Sequence, residues 1–385
     1  MNHKKPTVAV IGATGAVGSE LVRLLLERKF PFSNLRLFAS AQSVGKKVHS
    51  FRVEQLEHLE GIDLAFFCAG AAVSKKWIPQ ASCLCIDSSS AFRTVAPLVI
   101  PEINPHAIQG PLIASPNCAV TLLLLPLFSL HRLFRVKRIV VSTYQAASGA
   151  GAHLLHQLQE ETRAHLEKRS YTESDSKIGR WQEEALTLSQ AKPSTKQLNL
   201  NKLSDAVGLK GSGSSTQPEP IFESRAVYPH SLPFPYAFNL FPHNSALHPN
   251  GYVEEELKMV YETRKILEDD AIQLSATCVR VPVLRAHSLA ANVEFRDPFS
   301  LSQIYAALKN VAGLKVFEDR AANRFPTPHD ATGQLDILCG RFRIDPSQPN
   351  TLEFWAVGDQ LLKGAALNAV QIAEHCQGLF TKNTC

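Results

Sequence analysis

Residues Thr7–Gly18 read TVAVIGATGAVG, and this stretch decides the fold of the first part of the chain. An apolar, β-branched run predicts a buried strand, and the glycines directly after it predict a tight turn into a helix. Such a turn lets the backbone approach a pyrophosphate, whose charge the free amides at the helix N-terminus can bind. Glycine also occurs in purely structural turns, but the position between a strand and a helix favours a dinucleotide site. The expected contacts are Gly12, Thr14, Gly15, Ala16 and Val17.

The next hundred residues alternate short apolar runs with helical spacing. In Val17–Glu27, for example, Leu21, Leu24 and Leu25 fall on one helical face. This alternation is typical of a parallel sheet covered by helices, so we predict an α/β fold with a Rossmann-type doubly wound parallel sheet over residues 1–125. The predicted strands are Thr7–Ile11, Leu35–Ala39, Leu64–Cys68, Leu84–Asp87 and Leu112–Ala114.

Residues 126–357 have a different pattern, with longer strand-like runs and few helices between the later ones. We predict a second, α+β domain with a mixed sheet. Residues 186–220 are rich in polar residues, glycine and proline, which predicts a surface excursion. Small residues at helical spacing over 358–378 predict a last helix that completes the first domain. The predicted strands are Arg138–Tyr144, Ala276–Val283, Ala290–Phe295, Gln334–Arg343 and Thr351–Val357.

Composition restricts the classes of function. The 385 residues carry a formal net charge of +5 without a basic tail or stripe, so we expect no nucleic-acid partner, whereas a small anionic substrate fits. The eight cysteines include no Cys-x-x-Cys pair and no zinc-ligand spacing, which favours free thiols in a reducing compartment. The longest apolar run, Ala119–Phe128, is about half of what a membrane span needs. We therefore expect a cytoplasmic protein with neither a signal peptide nor a membrane partner.

The end of the second predicted strand indicates which dinucleotide binds. An NAD site usually has an acidic residue there, which bonds the ribose hydroxyls and repels a 2′-phosphate. Here Ser40, Gln42 and Ser43 take that place, followed by Lys46 and Lys47. NADP is therefore the expected cofactor, and a solvated loop that is merely basic is the alternative.

The segment Ser115-Pro116-Asn117-Cys118 is the candidate for chemistry. Proline and asparagine end a strand and supply a helix cap, so the cysteine is predicted at a helix N-terminus. The helix dipole there stabilises a thiolate and lowers its pKa. A buried structural cysteine is the alternative reading, because free cysteine is among the most buried residue types.

Seven segments in order together resemble the aspartate-semialdehyde dehydrogenase family. They are Gly12–Gly18, Ser88–Arg93, Pro116–Cys118, Gln145–Gly151, Asn250–Tyr252 with Glu255 and Lys258, Arg280–His287, and Gly358–Gly364. The resemblance implies a homodimer in which residues 126–357 form the catalytic and dimerisation domain. It also implies a role in the biosynthesis of lysine, threonine and methionine.

The resemblance also implies a reaction. Cys118 displaces phosphate from aspartyl phosphate to give a thioester, which NADPH reduces to aspartate semialdehyde. His287 matches the histidine of the family that transfers protons, and Gln145 the residue that orients the substrate.

The remaining site residues follow from the same match. Arg280 would hold the substrate carboxylate, and Glu255 would face its ammonium group. The phosphate contacts implied are Arg93, Asn117 and Lys258, and the contacts near the nicotinamide are Ser148, Gly149 and Gln360.

Two features fit the family pattern less well, and two other functions remain as alternatives. Arg280 and His287 are seven residues apart, so they share one site only if their strand ends or bulges between them. Gln42 stands where NADP-selective members often have an arginine. One alternative is a reductase for a longer or N-acylated acyl phosphate, such as N-acetyl-glutamyl phosphate, and the other is a non-catalytic relative.

Overall fold

The computed structural model describes residues 5–169 and 234–376, and the excursion predicted over 186–220 lies outside them. The chain divides into two compact units, Met1–Gln159 with Pro235–Cys385, and Glu160–Phe234. All the predicted site residues lie in the first unit. Of the described helices, none is long and apolar enough to cross a membrane.

The first sheet has seven strands in the order β3-β4-β2-β1-β5-β6-β7, and all pairs are parallel except the edge pair of β3 and β4. The chain builds outward from β1 to one side and then continues from β5 on the other side. The carboxyl ends of β1 and β5 therefore form the switch point, where doubly wound sheets bind ligands. The strands are β1 Thr7–Ile11, β2 Asn34–Ala39, β3 Lys47–Val48, β4 Phe51–Gln55, β5 Leu64–Phe67, β6 Leu84–Asp87 and β7 Leu112–Ala114.

The predicted doubly wound sheet is confirmed, including the five predicted strands, which correspond to β1, β2, β5, β6 and β7. Sequence reasoning missed β3 and β4, of which only Val53 is buried. Strands with so little buried surface have no apolar run to reveal them.

The glycine-rich turn has the geometry that its sequence predicts. Gly12 has φ +92°, and a Cβ built on it would lie 2.8 Å from the backbone nitrogen of Ala69, so a side chain is excluded there. A Cβ on Gly18 would lie 2.1 Å from the carbonyl oxygen of Gly12. Helix α1, Ala16–Glu27, therefore packs directly against the turn.

The second sheet is mixed, as predicted, with the order β12-β13-β14-β11-β8-β10-β9. Strand β8 is central, parallel to β10 on one side and antiparallel to β11 on the other. The strands are β8 Val136–Gln145, β9 Phe241–Pro242, β10 Gln273–Arg280, β11 His287–Phe295, β12 Leu314–Val316, β13 Ile337–Ile344 and β14 Thr351–Gly358.

The helices connect the two sheets. Helix α3, Cys118–Phe134, is apolar on nearly every face and packs in one core with the second sheet. A π-helical segment, Leu362–Ala366, and the last helix share a core with α1 and the first sheet. Helix α3 runs through residue 125, and the domain boundary predicted there stays a prediction. The others are α2 Ala71–Trp77, α4 Ala152–Arg169, α5 Glu254–Leu267, α6 Leu301–Leu308, α7 Pro328–Ala331 and α8 Leu367–His375.

Replacement of Gly18 by alanine tests the packing of α1 on the turn. The added methyl group must push the helix away from the carbonyl of Gly12, and we expect the free energy of unfolding to fall by about 1–3 kcal/mol. Urea denaturation measures this difference. Ser19→Ala adds no atom to the contact and serves as the control; equal stability of the two variants would contradict the packing argument.

Candidate active site

Cys118 is the first residue of α3, and Asn117 caps the helix. The side-chain oxygen of Asn117 accepts hydrogen bonds from the amides of Ala119, at 2.8 Å, and Val120, at 3.4 Å. The cysteine keeps some accessible surface. A Cβ on Gly364 would lie 2.7 Å from the Cβ of Cys118, so a glycine in the π-helical segment leaves room for this cysteine.

Asn117 also binds two carboxylates of α5. Its side-chain amide donates to Glu255 Oε1 at 2.7 Å, and its backbone amide donates to Glu262 Oε2 at 2.6 Å. The start of α3 is thereby fixed by a helix that lies more than 130 residues later in the chain.

Three strand ends bring Gln145, Arg280 and His287 together. Arg280 ends β10 and is in register with Gln145, the last residue of β8. Residues 281–286 then leave the sheet and cross the end of β8, so that His287 begins β11 on the other side. The strand break required by their odd spacing is therefore present, and Ala286 with φ +72° lies in the connection.

Gln145 bonds to Arg280 and to α5, and His287 bonds to the backbone directly after Gln145. Arg280 Nη1 donates to Gln145 Oε1 at 3.4 Å and to the carbonyl of Ala146 at 3.3 Å. Gln145 Nε2 lies 3.4 Å from Glu255 Oε1. The backbone amide of Ala146 donates to His287 Nδ1 at 3.0 Å, so the neutral ring carries its proton on Nε2.

The two other predicted cations are paired with carboxylates. Arg93, in the loop after β6, lies with Nη1 3.1 Å from Glu262 and donates through Nε to the carbonyl of Ser115 at 3.0 Å. Lys258 Nζ lies 2.9 Å from Glu254 and 3.6 Å from Glu255.

The residues predicted near the nicotinamide form a connected group. Gln360 Nε2 donates to Ser148 Oγ at 2.6 Å, and Gln360 Oε1 accepts from the amide of Ala286 at 2.9 Å. Gly149 lies against His287, because a Cβ on it would be 2.7 Å from His287 Nε2.

The residues predicted for the other end of the dinucleotide lie around the glycine turn. The hydroxyl groups of Thr14 and Ser43 are 3.4 Å apart, which brings the turn to the end of β2. Ser40 and Gln42 are exposed. No side chain among the described residues caps the start of α1, so its first amides remain available to a pyrophosphate. The turn therefore fits a dinucleotide.

The expectation that the helix N-terminus lowers the pKa of Cys118 is wrong. Burial is the largest influence and, with the negative charge of Glu255, raises the pKa of this thiol to about 12. Arg93, Arg280 and the amide of Ala119 oppose the rise but do not overcome it. Cys118 is therefore a protonated thiol at neutral pH in this structure.

Glu255 is ionised at neutral pH. Burial disfavours its charge, but neighbouring groups outweigh burial and lower its pKa to about 2. These groups are His243, Lys258, Asn117 and Arg280.

Sequence reasoning missed two buried residues of the site, Glu262 and His243. Glu262 lies two helical turns after Glu255 and therefore on the same face of α5, which is the one signal that the sequence offered. The sequence around His243 offered no comparable signal. Burial, followed by the charge of Arg280, lowers the pKa of His243 to about 4 and that of His287 to about 3.

Comparison with known proteins identifies the class and then the family. The NAD-binding domain of semialdehyde dehydrogenases matches residues 7–110, and the dimerisation domain of semialdehyde dehydrogenases matches residues 124–363. An aspartate-semialdehyde dehydrogenase of Synechocystis sp. is 44% identical over 95% of this chain and 96% of its own length. A second, of Prochlorococcus marinus, is 42% identical over 96% of this chain and 95% of its own length.

A solved structure agrees with these relatives. Aspartate semialdehyde dehydrogenase II of Vibrio cholerae, complexed with ASA, is 33% identical, covers 97% of this chain and 98% of its own, and has a TM-score of 0.77. The fold and the site thus define a semialdehyde dehydrogenase. The chain belongs to the aspartate-semialdehyde dehydrogenase family.

Replacement of Glu262 by glutamine tests how the start of α3 is held. Two buried donors, Arg93 Nη1 and the amide of Asn117, need two acceptor oxygens, and glutamine offers one. We expect a loss of about 1–3 kcal/mol in the free energy of unfolding, measured by urea denaturation.

Glu268→Gln is the matched control, because Glu268 follows the same helix but is exposed. Unchanged stability of the Glu262 variant would show that this carboxylate does not hold Asn117.

Proposed function

We propose that this protein catalyses the reversible, NADPH-dependent reductive dephosphorylation of L-4-aspartyl phosphate to L-aspartate 4-semialdehyde. One observation carries the proposal. Cys118, capped by Asn117, lies at the edge of a buried cluster in which an arginine, a glutamine, a histidine and a carboxylate meet. These are the groups needed to bind an amino acid and to form an acyl group on sulfur.

Cys118 attacks the acyl carbon of aspartyl phosphate, phosphate leaves, and a thioester forms. The high pKa of the thiol means that binding of the substrate must help to ionise it. The ionised Glu255 raises that pKa, and an ammonium group bound to Glu255 would cancel much of this effect. Correct substrate binding and activation of the nucleophile are therefore coupled in this proposal.

His287 is proposed to act through Nε2. This atom is buried, carries the proton of the neutral ring, and has no hydrogen-bond partner among the described residues. It can therefore donate a hydrogen bond to the substrate oxygen as negative charge develops on it. For His287 to accept a proton on Nε2, its bond from Ala146 to Nδ1 must first give way.

The substrate groups are assigned by charge. Arg280 would bind the α-carboxylate, since its Nε is buried and without a partner among residues 5–169 and 234–376. Glu255 would bind the ammonium group, and Gln145 between them would orient the chain. The phosphate would lie near Asn117 and share Arg93 and Lys258 with the carboxylates that pair with them now.

We propose NADP as the cofactor, held at the glycine turn and the end of β2. The pyrophosphate would meet the amides at Gly12–Val17, and the 2′-phosphate would lie near Ser40, Gln42 and Ser43, where no acidic side chain repels it. When bound, NADPH supplies the hydride that reduces the thioester. Ser148, Gly149 and Gln360 would border its nicotinamide.

The roles of the two domains and the homodimer are proposed from the family. We propose that residues 1–125 with 358–378 bind the cofactor and that residues 126–357 carry the catalytic site and form a homodimer, in agreement with the matched dimerisation domain. A cytoplasmic location is proposed because the seven cysteines in the described part of the chain are all free.

The alternatives fit the site less well. An N-acylated substrate has no ammonium group, so it could not form the ion pair that is proposed here for the buried Glu255. A non-catalytic relative would have no chemical need for buried donors that lack a partner among the described residues around Cys118.

Replacement of Cys118 by serine tests the nucleophile. We expect phosphate-dependent reduction of NADP by aspartate semialdehyde to fall by a factor on the order of 10³ or more. Cys83→Ser, which changes a buried cysteine outside the site, is the control. Near-normal turnover of the Cys118 variant would refute the assignment.

Replacement of Gln42 by aspartate tests the cofactor. A carboxylate at this position repels a 2′-phosphate, so kcat/KM for NADP should fall at least about tenfold relative to that for NAD. Gln109→Asp makes the same change at an exposed position before β7. An unchanged ratio in the Gln42 variant would place the 2′-phosphate elsewhere.

A further inference from the structure

A second histidine lies at the proposed substrate site. His243 directly follows β9, and its backbone amide donates to the carbonyl of Cys278 in β10 at 2.8 Å. The residue is 8% exposed, although both neighbours in the chain, Pro242 and Asn244, are exposed. The bond to Cys278 holds the imidazole of His243 inside the protein. Cys278 lies two residues before Arg280, the last residue of β10.

The hydrogen bonds of His243 determine which nitrogen bears the proton. Its Nδ1 accepts from the backbone amide of Ser245 at 3.2 Å, so the neutral ring carries its proton on Nε2. That buried Nε2 has no partner among the described residues. Burial and the charge of Arg280 both lower the pKa of this histidine, which keeps it neutral at physiological pH.

Buried donors without acceptors are rare, because each one costs about 1–3 kcal/mol. Around this site, three lack an acceptor within residues 5–169 and 234–376, namely His243 Nε2, Arg280 Nε and His287 Nε2. The charges that act on His243 are those of Arg280 and Glu255, which are proposed to bind the amino acid, and those of Lys258 and Glu254.

We propose that His243 is a further substrate-binding residue, whose Nε2–H joins Arg280 in binding the α-carboxylate of the substrate. An N–H donor matches a carboxylate and cannot bind an ammonium group. The same short loop also positions the group that receives the ammonium, because Ser245 Oγ accepts from the backbone amide of Glu255 at 3.0 Å. Residues 243–245 therefore place the two recognition elements for an α-amino acid relative to each other. This inference rests on the proposed function.

The test is a comparison of Michaelis constants in His243→Phe, which keeps a ring but has no N–H. We expect the KM for aspartate semialdehyde to rise roughly 10- to 100-fold, the loss for one hydrogen bond to a charged group, with KM for phosphate and for NADP unchanged. His243→Gln retains an N–H donor and should recover most of the loss. His248→Leu changes an exposed histidine in the same region and is the control.

A carboxylate-free competitor separates the two ends of the substrate. 3-Aminopropanal has the amine and the aldehyde of aspartate semialdehyde but no carboxylate, so its inhibition constant should be the same for wild type and His243→Phe. A rise in that constant, a parallel rise in KM for phosphate, or an unchanged KM for aspartate semialdehyde would each overturn the proposal.

Failure of the proposal for His243 can be told apart from failure of the proposed function. If His243→Phe does not fold, His243→Leu and His243→Gln are compared in the same assays. The leucine variant, which has no N–H donor, should raise the KM for aspartate semialdehyde, and the glutamine variant, which has one, should recover most of the loss. A wild-type protein that does not reduce NADP with aspartate semialdehyde and phosphate would overturn the proposed function itself, independently of His243.

Discussion

The site depends on the three hydrogen-bonding groups of Asn117. Its side-chain oxygen caps α3, its side-chain amide binds Glu255, and its backbone amide binds Glu262. The first interaction sets where the helix begins and therefore where Cys118 lies, while the other two attach that point to α5. Because all three groups are buried and satisfied, a shift of Asn117 would break several bonds at once. Cys118 is thus held in place by polar contacts as well as by packing.

The charges around Cys118 are paired without substrate, but several hydrogen-bond donors there lack an acceptor among the described residues. Arg93 pairs with Glu262, and Lys258 pairs with Glu254 and Glu255, whereas three N–H donors have no acceptor among the described residues. A zwitterionic amino acid with an acyl phosphate would supply what this arrangement lacks. Its carboxylate brings acceptors, and its ammonium group offsets the charge that holds the thiol protonated.

The sequence predicted those features that local chemistry dictates. The glycine turn at Gly12–Gly18, the strand before it, and the helix start at Cys118 follow from the residues themselves and are present. Features set by tertiary burial were not predictable from local pattern. The pKa of Cys118 rises because surrounding protein and Glu255 outweigh the helix N-terminus, and neither influence is visible in the residues near 118. Glu262 and His243 were missed for the same reason, since only the fold brings them to the site.

The central claim is that the sulfur of Cys118 forms the acyl bond, and mass spectrometry of the trapped enzyme tests it most directly. The enzyme is mixed with aspartate semialdehyde and NADP without phosphate, quenched in acid and digested. We expect one aspartyl group on the peptide that carries Cys118, and we expect phosphate added before the quench to remove it. An aspartyl group on any other residue, or reduction of NADP with Cys118 unmodified, would contradict it.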